Sequence, residues 1–315
     1  MLNGAIAQAV APGDILMSDA AISRRRFPAL SSAMWFAIIS APFVLFAIYP
    51  LLVMLKASFM PGDLMEPKGL FDKAFFFFDN FTMKFYGKIF VSRYLQEFYN
   101  TFIFAGLNTL VSLLVGTTLA IYLYYRKFTL SRLLSSLLII PYIVPNYILV
   151  ISVISVTGNN GLINMVLRTI LGNPDFTLPL RVMHTYHGVL LVFIFHGIPL
   201  AAFIISAVLT SINRSYIEAA IGLGASPLKA ILRVVLPLTV PGIIAAGSII
   251  FAHTMCNYVV VFLMGGTSYA NLAVEIFNQY FGYDTFDFAS ALSVTLSAMT
   301  MTIMYVYFIL IRKKV

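Results

Sequence analysis

The chain has 315 residues, of which 60% are hydrophobic and 10% are charged, with a mean hydropathy of +0.93 and a formal net charge of +8. Soluble domains carry about 25% charged residues, so this composition excludes a water-soluble globular protein and predicts a membrane protein. The single cysteine, Cys256, excludes an internal disulfide and a cysteine-based metal site.

Residues 1–32 are mostly small and polar, and three arginines at 24–26 precede the first long apolar run. This composition predicts a disordered cytoplasmic tail. The remainder, residues 33–315, is predicted to be one transmembrane domain.

Six stretches without Asp, Glu, Lys or Arg exceed the roughly 20 residues that cross the hydrocarbon core as a helix. They predict an all-α polytopic membrane protein with six transmembrane helices and no ionisable acid or base of these four types inside them. The predicted helices cover residues 33–55, 99–124, 134–156, 188–210, 239–264 and 289–311.

The distribution of Lys and Arg predicts the orientation of these helices. With the N-terminus in the cytoplasm, the inner segments hold 12 basic and 3 acidic residues, whereas the outer segments hold 8 basic and 9 acidic residues. This bias satisfies the positive-inside rule with both termini cytoplasmic. The basic character therefore reflects topology, and we expect no nucleic-acid partner.

The longest outer connection, residues 56–98, is rich in Phe and Tyr. Its segment FYGKIFVSRYL, residues 85–95, has two possible interpretations. It can form an amphipathic helix on the membrane surface, or it can pack as a cap on the helices.

Sequence motifs for catalysis are absent. The chain has no G-x-x-x-x-G-K-[ST] phosphate loop, no H-E-x-x-H or G-x-S-x-G motif, and no cysteine–histidine spacing typical of a metal site. We therefore expect no catalytic residue, no metal site and no cofactor bound by this chain. Its four histidines are scattered, at His184, His187, His196 and His253.

A polar segment, residues 211–238, separates the fourth and fifth predicted helices on the cytoplasmic side. Asn213 or Ser215 can cap a first short helix, and Gly224 can supply the left-handed residue that ends it. Glu218 near the start of that helix suits the positive end of the helix dipole.

The second half of the segment predicts another short helix. Ser226 is a suitable cap and Pro227 a suitable first residue, whereas Pro237 and Pro241 are predicted to end the helix before the fifth transmembrane helix begins. Small residues around the turn would make a compact knob that fits a groove on another protein. An ordinary interfacial hairpin is the alternative. The apolar residues of the two short helices are Ile217, Ala220, Ile221, Leu228, Ile231, Leu232 and Val235.

The stretch EAAIGLGASPLKAILRVVLP, residues 218–237, resembles the EAA signature of permease subunits of binding-protein-dependent ABC importers with the type I fold. Glu218-Ala219-Ala220, Gly224 and Leu236-Pro237 match that signature, and Val234 stands where Ile is usual. The proline-rich third helix and LMGG at 263–266 resemble the spermidine/putrescine branch, which includes relatives that handle iron, sulfate, phosphonates and other solutes.

This resemblance implies a membrane-embedded permease subunit in the bacterial inner membrane. In that family the EAA loop docks on a separate ATP-binding subunit, so Glu218, Ala219, Ala220 and Gly224 are expected to form the docking knob, with Leu236 and Pro237 fixing its attachment. The implied partners are an ATP-binding subunit dimer that carries ATP and Mg²⁺, a second permease subunit, an extracytoplasmic solute-binding protein and membrane lipid.

Polar residues at mid-membrane depth predict a substrate path, because such residues tend to face a cavity or the protein interior. His253 and Asn257 are spaced i, i+4 and are predicted to share a helix face. Asn146 and His196 lie beside prolines that release backbone carbonyls. Hydrogen bonding between helices without solute contact is the alternative.

The expected solute is a polyamine or a related organic cation. The outer loop after the fifth helix contains Glu275, Asp284 and Asp287 among aromatic residues, which favours an approaching cation, although these carboxylates could instead dock a binding protein or face solvent. An ion-coupled secondary transporter or channel, with His196 or His253 carrying protons, is the alternative function. A membrane enzyme is a third.

Overall fold

The structure is a computed structural model that describes residues 32–59, 81–125, 140–176, 182–266, 268–283 and 285–312. The predicted disordered tail, apart from Ser32, lies outside these residues. The chain divides into two compact units, residues 1–51 and 52–315. The described part of the first unit is helical, and Phe36, Phe43 and Phe46 in it are exposed.

Twelve α-helices and no β-strand occur within the described ranges. They are α1 (Ser32–Phe59), α2 (Lys84–Ile89), α3 (Ser92–Tyr125), α4 (Asn146–Thr157), α5 (Leu162–Leu171), α6 (Tyr186–Ser211), α7 (Ser215–Gly222), α8 (Pro227–Ala230), α9 (Leu236–Met255), α10 (Val259–Gly265), α11 (Leu272–Phe277) and α12 (Phe286–Arg312).

Six helical stretches in this described part are long and apolar enough to cross a membrane, which confirms the predicted all-α polytopic fold. They are Ser40–Phe59, Ser92–Tyr125, Asn146–Leu171, Tyr186–Ser211, Pro227–Met255 and Phe286–Leu310. All helix numbers below refer to the twelve helices named above.

Helix α3 begins earlier than predicted, at Ser92 instead of residue 99. The extra turns contain Arg93 and Glu97, whose i, i+4 spacing places both side chains on one face. The prediction that no charged residue belongs to a spanning helix is therefore wrong. The uncharged stretch marked only the apolar part of a longer helix.

The third predicted helix, 134–156, is interrupted. Residues 134–139 lie outside the described part, and the helical turn at 140–143 ends before Pro145. Proline lacks an N–H and disfavours helical geometry in the residue before it, so the chain breaks at Val144 and restarts as α4.

The fifth predicted helix, 239–264, extends further than predicted at its N-terminal end and is broken near its C-terminal end. Pro237 and Pro241 do not end the preceding helix, because a π-helical turn, Ile231–Val235, joins α8 to α9. The amide of Leu236 donates to the carbonyl of Ile231, and this wider i→i+5 spacing accommodates the prolines that follow.

The segment 85–95 packs as a cap and does not form one continuous helix. It is divided at Phe90 and Val91 between α2 and α3. Ile89 is buried, and the Tyr86 hydroxyl donates to Ser58 Oγ at 2.8 Å. These contacts favour the packed-cap interpretation for the described residues, while residues 60–80 of the same connection lie outside them.

Helix α3 lies at the centre of the second unit, against α6 and α9. Its Gly116 permits close approach to α6, since an added Cβ would lie 2.6 Å from Ala201 Cβ and 3.0 Å from the amide nitrogen of Ala202. A buried bond from Asn108 Nδ2 to Thr254 Oγ1, 2.9 Å long, ties α3 to α9.

Candidate functional site

The segment between α6 and α9 folds as predicted into two short helices around a glycine turn. Asn213 Oδ1 accepts a hydrogen bond from the Ser215 amide at 3.0 Å, in an Asx turn that leads into α7. The N-cap residue is Arg214, so neither Asn213 nor Ser215 occupies the predicted cap position. Ser226 Oγ accepts from the Lys229 amide, and Pro227 is the first residue of α8. We call residues 211–238 the coupling loop.

Gly224 ends α7 in the left-handed conformation, with φ of 88°. The Ala225 amide donates to the Ala220 carbonyl at 3.0 Å, and the Gly224 amide donates to the Ile221 carbonyl at 2.9 Å. This pair of bonds is a Schellman motif, which satisfies the last helical carbonyls and reverses the chain tightly. The turn is therefore set by the backbone and requires glycine at its left-handed position.

The coupling loop has a buried face and an exposed tip. Ile217, Ala230 and Val235 pack in a core cluster with residues of α6 and α9, whereas Leu223 at the tip is 90% exposed. Leu228, at 65% exposure, extends this apolar tip. Such an arrangement anchors the loop to the membrane helices and leaves its end available to another protein.

The predicted docking residues lie on the accessible side of the loop. Glu218, Ala219, Gly224 and Pro237 are exposed, while Ala220 and Leu236 are partly buried. Arg214, at the start of α7, places its guanidinium 5.3 Å from the Tyr124 ring centroid at the end of α3. The loop is thus also held to the central helix.

The structure brings together two of the four residues predicted to line a substrate path. The His196 ring on α6 stacks on the His253 ring on α9, with centroids 5.0 Å apart and planes 14° apart. His196 is buried, whereas His253 remains exposed on the surface of the chain. Tyr142, in the turn before α4, lies 5.4 Å from His196 and completes a cluster of three rings.

Asn257 does not share a helix face with His253, because α9 ends at Met255. The Asn257 side chain instead accepts a hydrogen bond from the Val260 amide at 3.1 Å and caps α10. The backbone carbonyl of Asn257 accepts a hydrogen bond from Asn271 Nδ2 at 3.1 Å. A helix break, which the apolar run concealed, thus separates the two residues. Asn146 is the first residue of α4.

Sequence reasoning missed a buried polar chain beside the histidines. Asn108 Oδ1 accepts from Ser112 Oγ at 3.0 Å, and Asn108 also donates to Thr254, the residue after His253. Gly197, the residue after His196, lies against Asn108 and Ser112, where a side chain would overlap them. The spacing of Asn108 and Ser112 by one helical turn was the available signal.

The LMGG stretch, residues 263–266, forms the end of α10, and Gly266 is the residue that follows the helix. Gly266 has φ of 59°, and an added Cβ would lie 2.8 Å from His184 Nδ1. The His184 amide donates to the Met264 carbonyl at 2.7 Å. This turn therefore fixes the end of α10 against the chain that enters α6.

Six helical stretches able to cross a membrane, joined by a loop with an anchored base and an exposed tip, define a polytopic membrane protein. The chain belongs to the family of binding-protein-dependent transport system inner membrane components, whose family model matches residues 112–313. It is accordingly a multi-pass inner-membrane permease subunit of an ABC importer and not an enzyme. This membership excludes the secondary-transporter, channel and membrane-enzyme alternatives.

Relatives with known names cover most of the chain. It is 25% identical over 272 residues to the spermidine/putrescine transport system permease protein PotB of Haemophilus influenzae, covering 86% of this chain and 91% of that protein. Identity to PotB of Escherichia coli is 28%, over 84% of this chain and 92% of that protein. A putative 2-aminoethylphosphonate transport system permease protein, PhnU of Salmonella typhi, is 27% identical over 59% of this chain and 64% of its own length.

Solved structures share the fold. A chain of a bacterial ABC transporter involved in the import of the acidic polysaccharide alginate matches with a TM-score of 0.72 at 15% identity, over 89% of this chain and 96% of that chain. A chain of the methionine transporter MetNI in an inward-facing conformation matches with a TM-score of 0.56 at 18% identity, over 70% of this chain and 95% of that chain.

Proposed function

We propose that this chain is one of two permease subunits in an importer that also contains two ATP-binding subunits and one extracytoplasmic binding protein. The ATP-binding subunits dock on the coupling loop, and ATP and Mg²⁺ bind to them and not to this chain. Membrane lipid surrounds the apolar outer faces. Both termini and the coupling loop lie in the cytoplasm, in agreement with the positive-inside bias of the sequence.

The observation that carries this proposal is the continuity between the loop tip and the membrane interior. From Pro227 to Met255 the chain is helical without a break, through the π-helical turn. Lys229 on the loop and His253 in the membrane therefore lie on one rod, about 36 Å apart at 1.5 Å per residue. A displacement of the loop by the ATP-binding subunit is transmitted along this rod.

The solute path follows the ring cluster of Tyr142, His196 and His253. These residues come from three separate helical segments, so relative motion of those segments changes the distances between the rings. Alternating access would then open the path first to one side and then to the other.

The solute class that we propose is a polyamine or a related organic cation. The relatives named above include spermidine/putrescine permeases and a putative permease for 2-aminoethylphosphonate, and each of these solutes carries an amine. Aromatic rings adjoin one another near the segment after α10, with the Tyr258 ring stacked on Phe277 at 5.1 Å and the Phe277 and Phe281 rings tilted at 4.9 Å. Aromatic faces attract ammonium groups.

The proposal is tested by reconstitution of the chain with a second permease subunit, the ATP-binding subunits and the binding protein from the same organism. Proteoliposomes that contain the complete complex should take up labelled spermidine or putrescine only when ATP is enclosed with the ATP-binding subunits. Competition with 2-aminoethylphosphonate, alginate oligosaccharides and methionine ranks the solute classes. Transport or ATP hydrolysis by this chain alone would contradict the proposal. Competition by methionine but not by polyamines would also contradict it.

A further inference from the structure

Two buried carboxyl groups lie at the outer end of the second unit, away from the ring cluster. Glu97 is in the second turn of α3 and is 6% exposed, and Glu275 is in α11 and is 1% exposed. The sequence predicted that Glu275 lies in an outer loop, where it could favour an approaching cation, dock a binding protein or face solvent, and its burial excludes the last of these. Neither carboxyl takes part in the coupling described above.

The surrounding bonds leave these carboxyl groups incompletely paired. Gln279 Nε2 donates to Glu275 Oε1 at 2.6 Å, and Gln279 is itself held by Thr285. The second oxygen of each carboxyl, Oε2 of Glu97 and Oε2 of Glu275, has no hydrogen-bond donor among the described residues. Two buried acceptors therefore lack donors at the same place.

Arg93 is the one basic residue that forms ion pairs with them in the described part of the chain. Its Nε lies 3.8 Å from Glu97 Oε1, and its Nη2 lies 3.6 Å from Glu275 Oε2. Charge-assisted hydrogen bonds measure about 2.7–2.9 Å, so this guanidinium is not closely bonded to either carboxylate. The Arg93 side chain is 60% exposed, so solvent reaches it.

One guanidinium faces two carboxyl groups, and each carboxyl keeps one buried oxygen without a hydrogen-bond donor among the described residues, which is unfavourable. An ammonium group supplies three N–H donors and one positive charge to these oxygens. A divalent metal does not fit as well, since it requires six or more ligands and the described residues contain no group of three acidic, histidine or cysteine side chains able to hold one.

We propose that Glu97 and Glu275 form a binding site for a primary ammonium group of an organic amine, with Arg93 as the resident cation that the amine displaces. The site deepens the proposed function, on which its amine specificity rests. Tyr94, beside Arg93, stands edge-on to Phe288 with ring centroids 5.1 Å apart, and these rings provide an apolar wall for the carbon chain of the amine. The site lies at the outer end of the path, where the solute enters.

The experiment measures putrescine binding to the purified full chain in detergent, by isothermal calorimetry and by the shift in Tm. Putrescine should bind to the wild-type chain, and Glu97→Gln and Glu275→Gln should each weaken binding at least tenfold. Arg93→Gln should tighten binding severalfold, because the competing cation is gone. Asp175→Asn, which changes an exposed outer carboxylate, is the matched control and should bind as the wild type does.

Several results would overturn the proposal. These are equal putrescine affinity in the wild type and both glutamine variants, unchanged or weaker affinity in Arg93→Gln, and equal Tm shifts from NaCl or MgCl₂ at matched ionic strength. Unchanged or weaker affinity in Arg93→Gln would indicate a structural ion pair. Equal Tm shifts from the salts would indicate an inorganic-cation site. If the buried variants do not fold, Arg93→Gln alone decides, since Arg93 is exposed.

The outcome is separable from that of the proposed function. Polyamine uptake by the complete complex with undiminished binding in the glutamine variants would reject this site alone. Binding that depends on Glu97 and Glu275 in a complex that does not import polyamines would reject the proposed solute while the ammonium site stands.

Discussion

The coupling loop and the outer segment 270–285 are both short helical pieces between spanning helices, yet they are stabilised in opposite ways. In the loop, the Asn213 and Ser226 side chains accept hydrogen bonds from amides two and three residues away, and Gly224 closes the turn. In the outer segment, the decisive bonds span great sequence distances. Thr101 Oγ1 accepts from the Leu272 amide, and Asn100 Nδ2 donates to the Ala270 carbonyl, across 171 and 170 residues.

This difference separates a surface built for a partner from one built for internal cohesion. The loop needs no distant residue to define its turn, so its exposed tip can be pushed as a unit. The outer segment uses its polar side chains inside the protein, where Asn271 and Gln279 are buried. We therefore expect loop substitutions to affect coupling and outer-segment substitutions to affect stability.

The largest effect is expected for Gly224→Val. The left-handed φ of 88° is unfavourable for a β-branched residue by about 1 kcal/mol or more, although no atom lies within 4 Å of the added Cβ. The cost is thus conformational and distorts the tip. Uptake by the complete complex should fall at least tenfold, while the amount of inserted protein and its Tm stay close to wild type.

Gly222→Val is the matched control for that substitution. Gly222 also has open space around its Cβ but no positive φ, so valine there keeps the turn. Comparable loss of uptake in both variants would mean that the exposed surface, and not the left-handed turn, matters. Normal uptake in Gly224→Val would remove the loop from the coupling role.

Among substitutions that remove a bond to the outer segment, Thr101→Val, on α3, should lower the stability of the protein most. The variant keeps the shape of the side chain but leaves the buried Leu272 amide without its acceptor, which costs about 1–3 kcal/mol. Thermal unfolding in detergent measures this loss. Thr118→Val on the same helix is the control, because Thr118 is exposed and bonds only within its own helix. Equal Tm values for the two variants would contradict the comparison.

The sequence predicted the coupling loop well because its signals are local. Caps, a left-handed glycine and a proline at a helix start act over three or four residues. The exception is Pro237, where a π-helical turn carried the helix past the proline. That outcome depends on burial of Val235 against α6 and α9, which no local pattern reports.

The sequence predicted much less of the outer segment and of the path. Glu275 and Asn257 were each assigned from neighbours in sequence, whereas their actual surroundings come from α3, α10 and the loop before α11. Pairing of His196 with His253 joins residues on two different helices. Hydropathy located these helices but contains no information on which of their faces meet.

Ser226→Ala tests the local stabilisation of the loop at a smaller scale. Loss of an N-cap costs about 1 kcal/mol, and here it falls on the exposed start of α8. We expect hydrogen exchange of the α8 amides to quicken severalfold and uptake to fall about twofold to fivefold, as about 1 kcal/mol permits. Ser152→Ala, at an exposed serine that bonds within α4, should change neither quantity. Unchanged exchange in Ser226→Ala would show that the cap is dispensable.

The smallest effect on stability is expected for His253→Ala, which nonetheless distinguishes a solute path from simple packing. The variant removes one ring of the stacked pair, and since His253 is exposed on its other side, the loss is about 0.5 kcal/mol, the low end for an aromatic pair. If the ring contacts the solute, uptake should fall and the ranking of competing amines should change, while binding of the ATP-binding subunits at the distant loop persists. His187→Ala on α6 is the control, because His187 is an exposed histidine with a ring neighbour, Tyr186, away from the pair. Uptake with a panel of competing solutes, together with a melting curve, measures both properties. A lowered Tm with an unaltered competition profile would assign His253 to packing and leave His196 and Tyr142 without a role in solute selection.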